Sequence, residues 1–399
     1  MTIKGTMRET MGSETMEGKE LQLYFHIPFC ARKCFYCDFL SAYGDEATKK
    51  AYMEALLAET AGSAVSYDSY TVSSVFIGGG TPSVVPVCYI ERLMEAVRKH
   101  YRLADNGEIT IEVNPGTVSG EELGRYRRAG INRLSVGLQS ARNEELALLG
   151  RIHTWEQFQE TYGAAREAGF ENINVDLMSA LPGQRLSDYK ETLEKVLALE
   201  EPPEHISAYS LILEEGTLFF DRYRAGELKV PDEETDRAMY QETKRILYKQ
   251  GYHRYEISNY ARRGYECRHN CGYWRRRNYL GLGIGAASLV ENVRFRNGRE
   301  LAPYLKDPLG CHEEVHTLSR QEQMEEFMFL GLRMTEGLDG KEFERLFGCR
   351  MEEVFGEAIE KNIRDGLLQM RRPLGGIALT DKGLDLSNYV MAQFLLEIP

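Results

Sequence analysis

Apolar and polar positions along this chain follow two periods that take turns. Residues 21–27 form a short apolar run of strand character, leading into Pro28-Phe29-Cys30. Over residues 45–61 the apolar positions Tyr52, Met53, Leu56 and Leu57 fall at helical spacing, and Gly62 can stop that helix. Residues 72–77 read as a strand running into Gly78-Gly79-Gly80-Thr81-Pro82. Residues 108–113 read as another, ending at Asn114-Pro115-Gly116, and Ser119-Gly120-Glu121-Glu122 then has the form of a capping box that opens a helix. Strands are predicted at 131–137, 172–178 and 205–211, with helices at 155–168, 186–199 and 233–250 between and after them.

Six strand–helix alternations predict parallel βα units. Crossovers of one hand curl such units into a barrel or part of one. Six are too few to close an eight-stranded barrel, so the expected fold class is α/β, a partial (β/α)6 TIM-like barrel. Polar residues fall at the C-terminal ends of its strands, where barrel sites are built. An open arc also leaves a lateral cleft for a large substrate. Beyond residue 318 the pattern changes. Helices at 321–334, 340–347 and 351–366 precede a strand at 367–370, a turn at 371–376 and a return strand at 377–379. That order resembles a winged helix. The expected division is an N-terminal disordered extension at 1–20, the barrel at 21–250, a connecting segment at 251–315 and a winged-helix-like α+β domain at 316–399.

Composition narrows the function classes. The chain has 399 residues, 43% hydrophobic and 28% charged, the balance of an ordinary globular protein of two or three domains. A net charge of −12 gives no general affinity for nucleic acid, so the C-terminal unit reads as a lid or docking module. Arg275-Arg276-Arg277 is a local exception, read as a solvated loop. No apolar run reaches the roughly 20 residues of a membrane span. Residues 1–20 lack the apolar core of a signal peptide, and Met7, Met11 or Met16 is an alternative start. The eight Cys form no obvious paired framework, which points to a reducing, cytoplasmic setting.

The sharpest chemical signal is Cys30-x3-Cys34-x2-Cys37. Clustered Cys without secretory features read as metal or cluster ligands, and thiolates hold iron–sulfur clusters. Three thiolates take three irons of a [4Fe–4S] cube and leave the fourth iron open. The bland alternatives are three buried thiols or a zinc site short of a ligand.

The cysteine spacing, with an aromatic before the third Cys, resembles the radical S-adenosylmethionine (SAM) enzymes. The resemblance implies that SAM chelates the open iron and that an electron from the cluster cleaves its sulfonium, leaving methionine and a 5′-deoxyadenosyl radical. The glycine stretch at 78–80 would receive the SAM amino group. Glu112 and Asp176 can bind ribose hydroxyls, Glu112 alternatively a cationic amino group. Gln139 can act as an amide equivalent, and Arg151 can offer a carboxylate a charge-assisted fork. Each of these singly fits a strand-end hydrogen-bonding role as well. As a set they resemble the SAM contacts of the oxygen-independent coproporphyrinogen oxidase branch. The matching positions are Tyr24, Tyr36, Gly79, Gly80, Thr81, Glu112, Gln139, Arg151 and Asp176, with Leu211 and Ala287 weaker. Relatives commonly carry His in place of Ala287.

Two features divide that branch. True coproporphyrinogen III oxidases carry a fourth Cys two residues after Cys37, where this chain has Phe39, so enzymatic activity is left open. His269-Asn270-x-x-Tyr273-Trp274 is similar to the motif of HemW-type heme chaperones and implies that His269 ligates heme. A His hydrogen-bonded in a packed turn is the alternative. Cys267-x-His269-x-Cys271 as a zinc or redox site lacks a fourth ligand. The resemblance thus implies a heme chaperone with three cofactors: a [4Fe–4S] cluster, SAM and heme. Its implied partners are heme or porphyrin, an apo-hemoprotein acceptor that can lie at a membrane, and a flavodoxin-, ferredoxin- or bacterioferritin-like reductant. No nucleic acid is expected, and the chain would be a monomer or homodimer. The alternatives are radical decarboxylation of coproporphyrinogen III and a radical SAM methyltransferase or cyclopropanase, because one architecture hosts many reactions.

Overall fold

The computed structural model describes residues 19–371 and 375–396. The expected extension at 1–20 lies outside the described residues except for its last two, which open the first strand. Part of the turn at 371–376 is also outside them.

Six parallel strands form the arc in sequence order: β1 (Lys19–Ile27), β2 (Tyr70–Gly79), β3 (Arg102–Val113), β4 (Arg133–Gln139), β5 (Ile173–Ser179) and β6 (His205–Ser210). Helices return between them: α1 (Glu46–Ser63), α2 (Val87–His100), α3 (Gly120–Arg128), α4 (Asn143–Leu148), α5 (Trp155–Glu167) and α6 (Leu186–Leu197). After β6 come α7 (Leu218–Arg224) and α8 (Glu233–Lys249). The pleat sorts side chains by chemistry. Leu21, Leu23, Phe25 and Ile27 of β1 join the main apolar core with Ile90, Leu93 and Val97 of α2. Gln22, Tyr24 and His26 take the opposite face. The expected capping box forms: Ser119 Oγ accepts from Glu122 N at 3.3 Å and Ser119 N donates to Glu122 Oε2 at 2.9 Å.

Residues 251–315 do more than connect. β7 (His253–Arg254) and β8 (Asn259–Ala261) extend the sheet antiparallel beyond β6. After α9 (Arg268–Trp274), β9 (Tyr279–Leu282) pairs parallel with β1. Antiparallel β10 (Ala287–Val290), β11 (Val293–Asn297) and, after α10 (Leu301–Lys306), β12 (His312–Thr317) continue that edge. The twelve strands make one open sheet, with β12 and β7 at its ends. Strands of two to six residues carry too little periodicity to be read from the sequence.

The C-terminal unit has the expected order: α11 (Arg320–Gly331), α12 (Gly340–Phe347), α13 (Met351–Arg364) and the hairpin β13 (Leu368–Arg371) with β14 (Gly376–Leu379). Two short helices, α14 (Asp381–Asp385) and α15 (Ser387–Ala392), follow. Its own apolar core gathers Met328, Leu332, Phe343, Phe355, Val390 and Phe394. Among the described residues no helix is long and apolar enough to cross a membrane.

The arginine run is a turn with Arg275 and Arg277 exposed, as the solvated-loop reading expects, but Arg276 is a correction to it. Arg275 pairs with Glu336 at 2.6 Å, Arg276 with Glu326 at 2.9 Å, and Arg277 with Glu20. Glu326 of α11 also takes Arg294 of β11 at 2.6 Å. The pairs of Glu326 and Glu336 tie the C-terminal unit to β11 and to the loop after α9, and Arg277–Glu20 ties that loop to β1. The side chains of Arg276 and Glu326 are 9% and 7% exposed, so removing one partner strands a buried charge. Glu326→Ala is expected to cost about 3 to 5 kcal/mol of unfolding free energy. Glu336→Ala, at an exposed pair, is expected to cost about 1 kcal/mol or less. Urea midpoints for the two variants check this, and equal midpoints would refute the buried tie.

Candidate cluster and cofactor cleft

The cysteine loop leaves β1 and is closed at its base by Ala42 N to Pro28 O at 2.8 Å and Cys30 N to Ala42 O at 3.1 Å. Its tip is held from two sides, by Phe35 N to Leu149 O and Phe219 N to Phe35 O, each 3.0 Å. The Phe35 ring lies under the guanidinium groups of Arg32 and Arg222, at 5.3 and 5.7 Å. Cys30, Cys34 and Cys37 are half-buried, unpaired with other thiols, and line one cavity of about 410 Å³. Among the described residues no three His, Cys, Asp or Glu side chains close on a single-ion site. Three cysteines without a fourth ligand are the donor set of a [4Fe–4S] cluster with one open iron, whereas a structural zinc site takes four ligands.

The glycines of β2 have separate reasons. A Cβ at Gly80 would lie 2.7 Å from the Phe29 carbonyl oxygen and 3.0 Å from that of Ile27. That close approach lets Gly80 N reach Ile27 O at 2.8 Å and Thr81 N reach Phe29 O at 2.7 Å. Gly79 has φ +114°, open to glycine, and its N–H donates to Glu112 Oε2 at 3.1 Å.

From Thr81 a hydrogen-bonded chain crosses the cleft. The Thr81 hydroxyl donates to Cys30 Sγ at 3.4 Å and accepts from Asn114 Nδ2 at 2.9 Å. Arg151 donates through Nη1 to Asn114 Oδ1 at 2.8 Å and through Nη2 to the Tyr36 hydroxyl at 3.0 Å. Arg151 Nε is buried and has no partner among the described residues.

Two carboxyls sit deeper. Burial pushes Glu112 up to about 8, and the Asp176 carboxylate beside it adds to the shift. Burial also raises Asp176, which accepts from Asn174 Nδ2 at 2.8 Å and Ser135 Oγ at 3.3 Å. Gln139 sits at φ +73°, a strained position for a side-chain residue, and its Oε1 accepts from the Tyr209 hydroxyl at 3.0 Å.

The cavity brings together Cys30, Cys34, Cys37, Tyr36, Gly79, Gly80, Thr81, Glu112, Gln139, Arg151, Asp176 and Leu211. It also includes Asn114, Ser135 and Tyr209, which sequence reasoning missed as site residues. Asn114 stood in a strand-end Asn-Pro-Gly, read only as a turn. Tyr24 and Ala287 do not line this cavity; both line a neighbouring one.

His269 is elsewhere. It lies 1% exposed on α9, inside the arc. Its Nδ1 meets Ser74 Oγ and its Nε2 meets the Tyr273 hydroxyl, both at 2.8 Å, and burial pushes its pKa down to about 3. The Glu108 carboxylate accepts the N–H groups of Arg268 and His269, each at 3.0 Å, at the start of α9. Both ring nitrogens are thus hydrogen-bonded within the protein. Cys267 and Cys271 are buried thiols. Cys267 Sγ donates to Glu108 at 3.6 Å, and burial pushes Cys271 up to about 12.

An open α/β arc with three thiols at the mouth of its first strand defines the radical SAM class. The Radical SAM superfamily model matches residues 24–196, and the HemN C-terminal domain model matches 318–386. The chain is 40% identical to the heme chaperone HemW of Lactococcus lactis, covering 94% of this chain and 97% of that one. It is 34% identical to HemW of Bacillus subtilis, with 94% and 99% covered. Among solved structures, coproporphyrinogen III oxidase (HemN) from Escherichia coli superposes with a TM-score of 0.83 at 25% identity, with 95% and 91% covered. The chain belongs to the HemW family of radical SAM proteins. Its class carries a [4Fe–4S] cluster and SAM.

Replacing Cys30, Cys34 or Cys37 singly by Ala is expected to cut the iron and sulfide retained after anaerobic reconstitution to less than about half of the parent's. Cys267→Ser and Cys271→Ser should retain the parent's content. Metal analysis of all five proteins decides it, and full iron in Cys34→Ala would refute the assignment.

Proposed function

We propose that this protein is a heme chaperone, which takes up heme and delivers it to an apo-hemoprotein. The reading rests on one observation: the 40% identity to a heme chaperone runs through 94% of the chain, from cysteine loop to C-terminal unit. Phe39 supports it, an apolar ring 62% exposed at the cleft lip where the oxidases carry a fourth Cys. A cytoplasmic setting, a flavodoxin-, ferredoxin- or bacterioferritin-like reductant and an acceptor at a membrane belong to the same proposal.

Cys30, Cys34 and Cys37 would hold the cluster. When bound, the cluster supplies an electron that can cleave the SAM sulfonium. The Thr81 hydroxyl stabilises the Cys30 thiolate by donating to it. Gly79 and Gly80 bring backbone close to where the SAM amino group would lie. The unpartnered Arg151 Nε is a donor left for the SAM carboxylate. Glu112, Gln139 and Asp176 would hold the ribose or a cationic group. Tyr24, Leu211 and Ala287 would make outer contacts. We assign His269 a structural part. To reach an iron, its Nε2 would have to abandon Tyr273 and leave the core.

The oxidase reading is the runner-up, favoured by the HemN likeness over 95% of the chain. Cluster-loaded protein with heme and an apocytochrome should yield holocytochrome. The same protein with coproporphyrinogen III, SAM and reductant should yield no protoporphyrinogen IX, and its formation would replace this reading by the oxidase. His269→Ala is expected to lose about 1 to 3 kcal/mol of stability while its folded fraction binds heme as the parent does. Loss of heme by folded His269→Ala would restore that residue as a ligand.

Glu112 supplies a pH test. Its pKa of about 8 keeps it mostly neutral at pH 7, so engaging a cationic ligand group requires losing a proton. SAM affinity is therefore expected to rise with pH by up to about tenfold per unit toward pH 8 and then level off. Glu112→Gln removes that part of the slope. Calorimetric titrations from pH 6.5 to 9 check it, and parallel slopes would refute the role.

A further inference from the structure

Two more cavities, of about 380 and about 450 Å³, continue the cleft toward β9, β10 and β11 and share Tyr24, His26 and Gly285. Each has the size of a small-molecule site, roughly 300 to 1,000 Å³. The larger is lined mainly by aromatic and apolar side chains, Tyr24, Trp274, Tyr279, Leu289 and, from α11, Leu330, together with Arg294. The smaller carries Arg296 of β11 and Arg299 just beyond it. Arg299 is exposed and has no carboxylate partner among the described residues. Arg296 meets only Glu314, at 2.6 Å, on the exposed strand β12.

Two donors in this lining are orphaned. Trp274 Nε1 and Arg296 Nε are buried with no hydrogen-bond partner. Such groups are rare because leaving them unpaired costs stability, and a missing ligand is one account of them. Asp38 lines the cluster side of the nearer cavity and disfavours an anion there, so an anionic edge is turned toward β11. Phe39 lies on the boundary, lining both this cavity and the cluster cleft.

Resting on the heme-chaperone reading, we propose that this groove seats the tetrapyrrole. The macrocycle lies against Tyr24, Trp274, Tyr279 and Leu289, and its propionates are held by Arg296 and Arg299. Guanidinium forks suit carboxylates, and aromatic faces suit a flat ring. Recognition is by ring and carboxylates, so it does not require iron. Leu330 makes the C-terminal unit one wall of the seat, which places release under the control of that unit.

The test uses full-length, cluster-loaded protein under anaerobic conditions. The probes are heme, zinc protoporphyrin IX and the dimethyl ester of the latter. Zinc protoporphyrin IX should bind and quench tryptophan emission, and Trp274→Phe, which leaves Trp155 alone, should lose most of the quenching. The double variant Arg296→Gln, Arg299→Gln should bind the free acid about tenfold or more weakly and the ester unchanged. Arg299→Gln alone, at an exposed position, should give a smaller loss without altering the urea midpoint. Equal binding of the free acid by parent and double variant overturns the seat, as does binding of heme with refusal of zinc protoporphyrin IX. A parent that binds neither heme nor zinc protoporphyrin IX overturns the chaperone reading itself.

Discussion

The cleft depends on two backbone hydrogen bonds made where β1 and β2 end. Gly80 N to Ile27 O and Thr81 N to Phe29 O bring the start of the cysteine loop against the glycine bend. The approach is so close that a Cβ at Gly80 would sit on the Phe29 carbonyl. Everything chemical is referred to that junction. The thiols leave from one chain, and the Thr81 hydroxyl that steadies Cys30 leaves from the other. Asn114, from the end of β3, and Arg151, from the turn after α4, then set Tyr36 opposite. A parallel sheet suits this task because neighbouring strands end on the same side and deliver their last residues to one place.

An open arc with polar inward positions has to satisfy them without a closed barrel wall. The far end is filled by α9, entering as a plug. Gln22 donates to Ser74 and to the His269 carbonyl, and Ser74 meets the His269 ring. Glu108 caps the plug's first N–H groups, where a carboxylate also suits the helix end. On the other flank Asn174 Oδ1 meets His205 Nδ1 at 2.6 Å, and His205 Nε2 meets the Tyr255 hydroxyl at 2.8 Å. The His-Asn-x-x-Tyr-Trp segment therefore works at two levels. Its His and Tyr lock the plug into the arc, while its Trp274 is left facing the lateral groove.

The parts legible in the sequence share one property: their signal is local and long. Parallel strands buried on both faces read as apolar runs, helices of ten residues or more show their stripe, and the Ser119 capping box is a four-residue statement. The cysteine spacing is legible for the same reason. The strands of 251–315 were not, because two to six residues cannot establish a period, and their place is set by β1 and β6 rather than by their own composition. The arginine run was legible in part for a related reason. Three adjacent cations read as a solvated loop, which holds for Arg275 and Arg277, yet the carboxylate that buries Arg276, Glu326, is far away in sequence. His269 shows the limit of a motif. The residue type permits ligation or packing, and the two hydrogen bonds to Ser74 and Tyr273 show a packing role that the motif alone does not express.

The cluster cleft and the nearer cavity of the lateral groove share Asp38, Phe39, Gly79 and Glu112. A thiol in place of Phe39 would add a polar, oxidisable group where the two compartments meet; a phenyl ring instead presents an apolar edge to both. A ligand lying along β9 to β11 would sit beside the cluster loop, next to Tyr24 and Glu112. The C-terminal unit then completes the argument. Its α11 contributes Leu330 to the groove wall and Glu326 to two arginine pairs, one from the loop after α9 and one from β11. The same helix thus closes the groove and is clamped to both of its sides. A change in that clamp would alter the groove without disturbing the junction that carries the thiols.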